Sequence, residues 1–360
     1  MSRKVDFIIV GQGLAGTTFA HTIEQTNSSY LIIDNCDKHT SSFAAAGIFH
    51  PFSFKRLLLS WKSDIFIPFA FQFYQSIEKA LDTTLLSKQP MYRIFSSFEE
   101  QNNWHVKQSI LPYSKFIHQK KPSIRSIEKL KSPFGIGKVE ACGRLDVSKY
   151  IHKSRNYFSS KGTLLKSNFD YKKLVKCKNE FAYENTTASR IVFCEGPKFT
   201  ENPYFNYLPH NACKGEIILI ESRKFPEELI NKGCFVFPLG ENKFIIGSTY
   251  SHKELNHKCS EDGKTELIKK FSAIGDFDYT VVGQKAGVRP TTRDRRPLMG
   301  IHPELKNMFI LNGFGSKGVM MAPYLSNQLN NHIQKNVNIF PEANIARYSK
   351  KHFKSDLLPI

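Results

Sequence analysis

The sequence predicts an α/β protein whose nucleotide-binding domain is assembled from three separated pieces, with a β-rich α+β domain inserted between them. Three observations predict this. An apolar run over residues 5–10, broken only by Asp6, leads into Gly11-Gln12-Gly13-Leu14-Ala15-Gly16. The same change from apolar run to glycine turn returns at residues 191–196 and again at 308–315. Between these stretches, residues 90–145 and 205–284 carry strand-like runs that interrupt the alternation of strand and helix.

Residues 5–10 read as a strand buried on both faces. Residues 14–26 follow as a helix and residues 30–33 as a second buried strand, which together make a Rossmann-type βαβ unit. Phe66, Phe69, Phe71, Phe73 and Tyr74 recur at helical spacing, so residues 62–80 read as a helix packed on the sheet. Residues 215–220, 234–238 and 243–247 read as strands, the last two joined by a hairpin over 239–242. Residues 308–311 form a further strand, and a helix is expected from about Ala322. The expected division is a nucleotide-binding domain over 1–84, 145–204 and 285–345, an inserted substrate domain over 85–144 and 205–284, and a tail over 346–360.

The bulk numbers agree with a globular protein. Hydrophobic residues make up 41% and charged residues 23% of the 360 residues. No apolar run is long enough to span a membrane. The basic start followed by an apolar run could suggest a signal peptide. The run is short, carries Asp6 and ends in a glycine turn, so it reads as the first strand of a cytoplasmic protein. The seven cysteines are scattered, with no C-x-x-C, which argues against disulfides and against a metal site. The net charge of +19 has two readings. One is a polyanionic partner such as RNA. The other is a lysine-rich surface, favoured because the lysines are spread along the chain.

Gly11-Gln12-Gly13-Leu14-Ala15-Gly16 gains specificity from its setting. It follows a strand, opens a helix and precedes Asp34 at the end of the next strand. Gly11 permits the turn, Gly13 lets the backbone approach a pyrophosphate, and Gly16 lets the helix pack on the strand. The helix N-terminus with Leu14 and Ala15 faces the phosphates, and Asp34 can accept from ribose hydroxyls. The bland alternative is a glycine turn with no ligand. A run of small residues follows, Ser41-Ser42-Phe43-Ala44-Ala45-Ala46-Gly47-Ile48, suited to lying against a flat cofactor. Near the end come Gly287-Val288-Arg289-Pro290 and Gly313-Phe314-Gly315-Ser316-Lys317-Gly318-Val319-Met320. The latter is a glycine-rich loop feeding a helix, which would aim backbone N–H groups at a negative centre.

These segments resemble the D-amino-acid-oxidase superfamily of FAD enzymes, which includes glycine oxidase and sarcosine oxidase. The Ser41–Ile48 run is similar to the flavin-side segment of glycine oxidase. The stretch from Gly287 to Gly300 is similar to the superfamily's C-terminal signature. Phe69–Tyr74, Gly247–Tyr250, Val288-Arg289 with Thr292-Arg293-Asp294, and Gly315–Gly318 are also similar to the FAD domain of the bifunctional enzyme that builds methylaminomethyluridine in tRNA. This sequence holds no counterpart of that enzyme's methyltransferase domain, and Pro290 matches the amino-acid oxidases. The resemblance implies FAD as cofactor, bound by Gly11, Gly13, Leu14, Ala15, Gly16, Asp34, Ser41, Ser42, Ala45, Ala46, Gly47, Cys194, Gly196, Gly313, Gly315, Ser316, Lys317, Gly318, Val319 and Met320.

The resemblance places Arg289 at the position that binds the substrate carboxylate in glycine oxidase. A guanidinium can make two parallel hydrogen bonds to a carboxylate, although a structural salt bridge to a neighbour such as Asp294 is the competing reading. Lys317 would stabilise an anionic reduced flavin or superoxide, or is a solvated loop lysine. Tyr250 would line the pocket, or is core. His50, just before Pro51, reads as structural. The implied function is oxidation of the C–N bond of an amino acid or N-substituted glycine by hydride transfer to flavin. Two alternatives stand beside it: removal of a carboxymethyl group from a modified wobble uridine in tRNA, and a flavin-binding module without catalysis. The expected partners are therefore a small carboxylate-bearing amine and, under the second reading, tRNA.

Overall fold

A computed structural model describes residues 3–118, 127–348 and 353. Two eight-stranded sheets dominate the fold. The first has a parallel run in the order Leu164–Lys166, Tyr30–Asp34, Arg3–Val10, Thr186–Phe193 and Met308–Asn312. On the edge away from Arg3–Val10, Thr186–Phe193 is shared between two neighbours. Its first residues pair antiparallel with Glu180–Tyr183, and its last pair in parallel with Met308–Asn312. Phe7 and Ile9 enter the core on one face of the sheet, while Ile8 and Val10 enter the core on the other. Burial on both faces explains why this strand is continuously apolar instead of alternating.

Helices Leu14–Glu24, Ser63–Ala80 and Gly318–Lys335 cover one face. In Ser63–Ala80 the buried apolar and aromatic side chains are Phe66, Ile67, Ala70, Phe73, Tyr74 and Ile77, a seam at helical spacing. Phe69 and Phe71 are only partly covered.

The last helix begins at Gly318, four residues ahead of the expected start near Ala322. Counted from Ala322, Pro323 would fall in the first turn, where its missing N–H costs nothing. Instead it sits inside the helix, where it cannot donate to the carbonyl of Val319. The Tyr74 hydroxyl donates to that carbonyl at 2.9 Å. A side chain from a neighbouring helix thus replaces the absent backbone donor, and the helix tolerates its proline.

The second sheet runs Thr280–Arg289, Cys213–Glu221, Lys243–Gly247, Cys234–Gly240, Leu229–Lys232, Met91–Ile94, Ile136–Val139 and Ile117–His118. Cys234–Gly240 and Lys243–Gly247 form the expected hairpin. Its two turn residues, Glu241 and Asn242, have φ of 52° and 60°, the left-handed pair that matches strand twist. The expected boundary at residue 285 falls inside Thr280–Arg289, a strand of this second sheet. Most of the expected tail over 346–360 lies outside the described residues.

The strands of the parallel run end on one edge of the first sheet. Gly11, Asp34, Ser167, Cys194 and Gly313 stand at or just beyond those ends. In open α/β sheets this carboxyl edge is where ligands bind.

Candidate functional site

A cavity of about 660 Å³ opens along that edge and reaches the second sheet. This volume lies in the range of small-molecule sites. Its wall includes Gly11, Gly13, Leu14 and Ala15 from the first turn, and Asp34 from the second strand. Ser41, Ser42, Ala45, Ala46 and Gly47 also line it, with Cys194 and Gly196, then Gly315 to Val319. The second sheet contributes Gly215, Ile217, Phe235 and Arg289.

The first turn is packed too tightly for a side chain at Gly11 or Gly16. A Cβ at Gly16 would fall 1.9 Å from the Gly11 carbonyl oxygen. Gly11 has φ of +97°, and a Cβ there would meet the Cys194 carbonyl at 2.6 Å. Gly16 therefore seats the helix on the strand and does not itself line the cavity. The Leu14 N–H donates to Ser42 Oγ at 3.0 Å. That hydroxyl accepts at the helix N-terminus and still has its own proton to donate.

Asp34 is held from three sides. Its carboxylate accepts the Gln12 N–H at 2.7 Å and the Cys36 N–H at 2.6 Å. Arg155 Nη2 lies 3.6 Å away. Arg155 also donates to Gln12 Oε1 at 2.6 Å and to the Cys36 carbonyl at 3.0 Å. Sequence reasoning missed Arg155 and Gln12. Arg155 comes from helix Val147–Ser160, more than a hundred residues from Asp34, and no local pattern marks it.

Arg289 ends its strand inside the cavity wall. Its guanidinium donates to Ser248 Oγ at 2.9 Å and to the Thr249 carbonyl at 3.3 Å. All its hydrogen-bond partners among the described residues are neutral. The competing salt bridge does not form, because Asp294 pairs with Arg347 at 3.1 Å and accepts from Tyr348 at 2.7 Å. The Ser41 hydroxyl donates to the Val288 carbonyl, which ties the small-residue run to the strand carrying Arg289.

Lys317 also lines the cavity. Its ammonium donates to the carbonyls of Phe52 at 3.2 Å and His50 at 3.4 Å. Burial lowers its pKa to about 8. His50, read from sequence as structural, lines the cavity as well, with its ring stacked on Phe54 at 5.0 Å. Burial, with Lys317 and Arg93 adding to it, holds the imidazole well below its ordinary pKa, so the ring is neutral.

Besides Gly16, three predicted residues sit away from the cavity wall. Tyr250 lies past the strand that ends at Gly247 and is 51% exposed. It does not line the cavity, although its ring stands 5.5 Å from the Arg289 guanidinium. The strand ends three residues early, so Tyr250 turns outward. Met320 is buried in the helical core and Gly313 in a turn against Leu298, neither of them at the cavity wall.

Glu195, another residue that sequence reasoning passed over, lines the cavity beside Gly11. The Tyr171 hydroxyl donates to one of its oxygens, and Asn202 Nδ2 donates to the other at 2.7 Å. Burial outweighs these donors and raises the carboxyl pKa to about 7.

A sequence profile of the DAO family, described as FAD dependent oxidoreductase, matches residues 6–329. The chain is 26% identical to glycine oxidase of Geobacillus kaustophilus (strain HTA426) over 118 residues, 31% of this chain and 30% of that protein. It is 24% identical over 198 residues to the bifunctional protein of tRNA 5-methylaminomethyl-2-thiouridine biosynthesis from Legionella pneumophila (strain Corby), 46% of this chain and 30% of that protein. The match thus spans about 30% of the length of these curated relatives. The solved L-proline dehydrogenase from P. horikoshii shares the fold, with a TM-score of 0.78 at 15% identity over 98% of this chain and 100% of that one.

Proposed function

The chain belongs to the DAO family of FAD-dependent oxidoreductases, and from that premise we propose that it oxidises the C–N bond of a small amine bearing a carboxylate. The observation that carries the reading is Arg289, a guanidinium in the cavity wall that no carboxylate among the described residues neutralises. Such a group recognises an incoming carboxylate through paired hydrogen bonds.

The residues present fit FAD. Gly11, Gly13 and Leu14 would hold the pyrophosphate, with the Ser42 hydroxyl beside them, and Asp34 the ribose. Ala45, Ala46, Gly47 and the Gly315–Val319 segment would border the ring system. When bound, FAD supplies the hydride acceptor for amine oxidation. Arg289 fixes the carboxylate and so orients the amine carbon, which is where most of the rate gain arises. The Lys317 ammonium, held by two carbonyls, would supply positive charge beside a bound ring system as it gains electrons. No side chain is assigned as general base.

The test is an anaerobic screen that follows loss of flavin absorbance with glycine, sarcosine, proline, D-amino acids and carboxymethylaminomethyluridine. Bleaching by at least one carboxylate-bearing amine supports the reading. A protein that takes up no FAD, or whose flavin none of these reduces, overturns it.

The likeness over 198 residues to the tRNA-modifying bifunctional protein supports a second reading, in which the amine is carried on a tRNA base. The same Arg289 chemistry would then serve a carboxymethyl group. A salt-sensitive tRNA gel shift and an unprocessed wobble base in a deletion strain would favour it.

A further inference from the structure

Beside the cavity, exposed aliphatic and basic side chains share one surface. Phe52–Ser53 and Leu58–Leu59 pair as a small hairpin. Ser53 and Phe54 line the cavity, while Lys55 and Arg56 are exposed and Leu58 is 45% exposed. Lys107 Nζ donates to the Leu57 carbonyl at 2.6 Å and to the Arg56 carbonyl at 3.3 Å, which docks the hairpin on the end of helix Phe98–Gln108. There Val106, Ile110 and Leu111 are 61%, 46% and 71% exposed. His105 and Lys115 are exposed beside them. The acids of the helix, Glu99 and Glu100, lie at its opposite end, and Glu100 is paired with Arg93.

The mixture discriminates between partners. A nucleic-acid backbone rewards the cations but gives aliphatic side chains nothing to bury against. An anionic bilayer surface rewards both, because cations meet headgroups while aliphatic chains enter the acyl boundary. We propose that the hairpin tip and the end of helix Phe98–Gln108 form a docking surface for anionic lipid, which turns the edge of the cavity toward the bilayer. The net charge of +19 adds long-range attraction to such a surface. Attraction between exposed cations and anionic headgroups is screened by salt, so the attachment is salt-sensitive.

Flotation of the full chain, loaded with FAD, with phosphatidylcholine vesicles and with vesicles also containing phosphatidylglycerol tests this. Binding is expected only to the anionic vesicles and is expected to weaken with salt. The double variant Val106→Glu, Leu111→Glu should reduce it by about tenfold or more, with FAD content and circular dichroism unchanged. Absence of binding to anionic vesicles, or binding indifferent to the two substitutions, overturns the proposal. So does a concentration-dependent dimer, or a tRNA complex, that the same substitutions abolish, because either would assign the surface to that partner.

Discussion

The Arg289 guanidinium lies directly over the backbone of Gly215: a Cβ at position 215 would fall 1.8 Å from Nη2 and 2.1 Å from Cζ. The absence of a side chain on one strand therefore lets the charged group of its neighbour reach Ser248 and Thr249.

The first prediction concerns Gly215→Ala. The obstructed atoms are the far end of a flexible side chain, so the strand should survive and Arg289 should move. The melting temperature should change little, while KM for a carboxylate-bearing substrate rises about tenfold, a loss near 1.4 kcal/mol. An unchanged KM would separate Gly215 from the placement of Arg289.

Arg289→Lys should be nearly as damaging as Arg289→Ala. Lysine keeps the charge but loses the planar fork that matches a carboxylate. Hydrogen bonds to charged groups are worth about 1.5–3 kcal/mol, so kcat/KM should fall by roughly ten- to a hundredfold in both variants. A lysine variant with nearly full activity would mean that charge alone suffices.

Glu195 makes stability depend on pH. Burial raises its folded pKa to about 7 from an ordinary value of 4.5. Its stabilising contribution is complete below about pH 4.5 and is lost as pH rises through 7, because folding then buries a carboxylate that prefers water. Neighbouring Glu201 acts in the same direction and Lys198 opposes it. A shift of this size corresponds to about 3 kcal/mol as an order of magnitude. Urea unfolding at pH 5 and pH 8 should show wild type losing more stability than Glu195→Gln by up to that amount. Parallel profiles for the two proteins would assign the pH dependence elsewhere.

Lys317 should mark the reaction itself. With its pKa lowered to about 8, the ammonium loses its proton as pH rises through that value. If the cation is the active form, the rate of flavin reduction or reoxidation falls above pH 8 in wild type. Lys317→Met should be slower at pH 7 and show no inflection there. Stopped-flow absorbance across pH 6–10 reads both, and an inflection retained in the variant would point to another group.

What the sequence made legible is what it encodes locally. The turn from Gly11 to Gly16, the strand ending at Asp34 and the run from Ser41 to Gly47 are each continuous in the chain, and each lines or packs the cavity as one piece. The groups that finish the site come from distant segments without a pattern of their own. Arg155 reaches Asp34 from a separate helix, Gly215 accommodates Arg289 across a strand pair, and Tyr171 and Asn202 enclose Glu195. The start of the last helix at Gly318 has no local signal, because whether Pro323 can sit inside a helix depends on Tyr74, which comes from a distant segment.

That compensation is open to a double-mutant test. Tyr74→Phe removes the side-chain donor that meets the Val319 carbonyl in place of the Pro323 N–H, and does so in the buried helical core. Leaving a buried acceptor unmet costs about 1–3 kcal/mol. Pro323→Ala restores a backbone N–H four residues after Val319, so the same Tyr74→Phe change should cost less than half as much in that background. The coupling energy from denaturant unfolding of the four proteins measures the exchange directly. Strict additivity would mean that the hydroxyl and the missing N–H serve unrelated ends, and that the helix tolerates Pro323 for another reason.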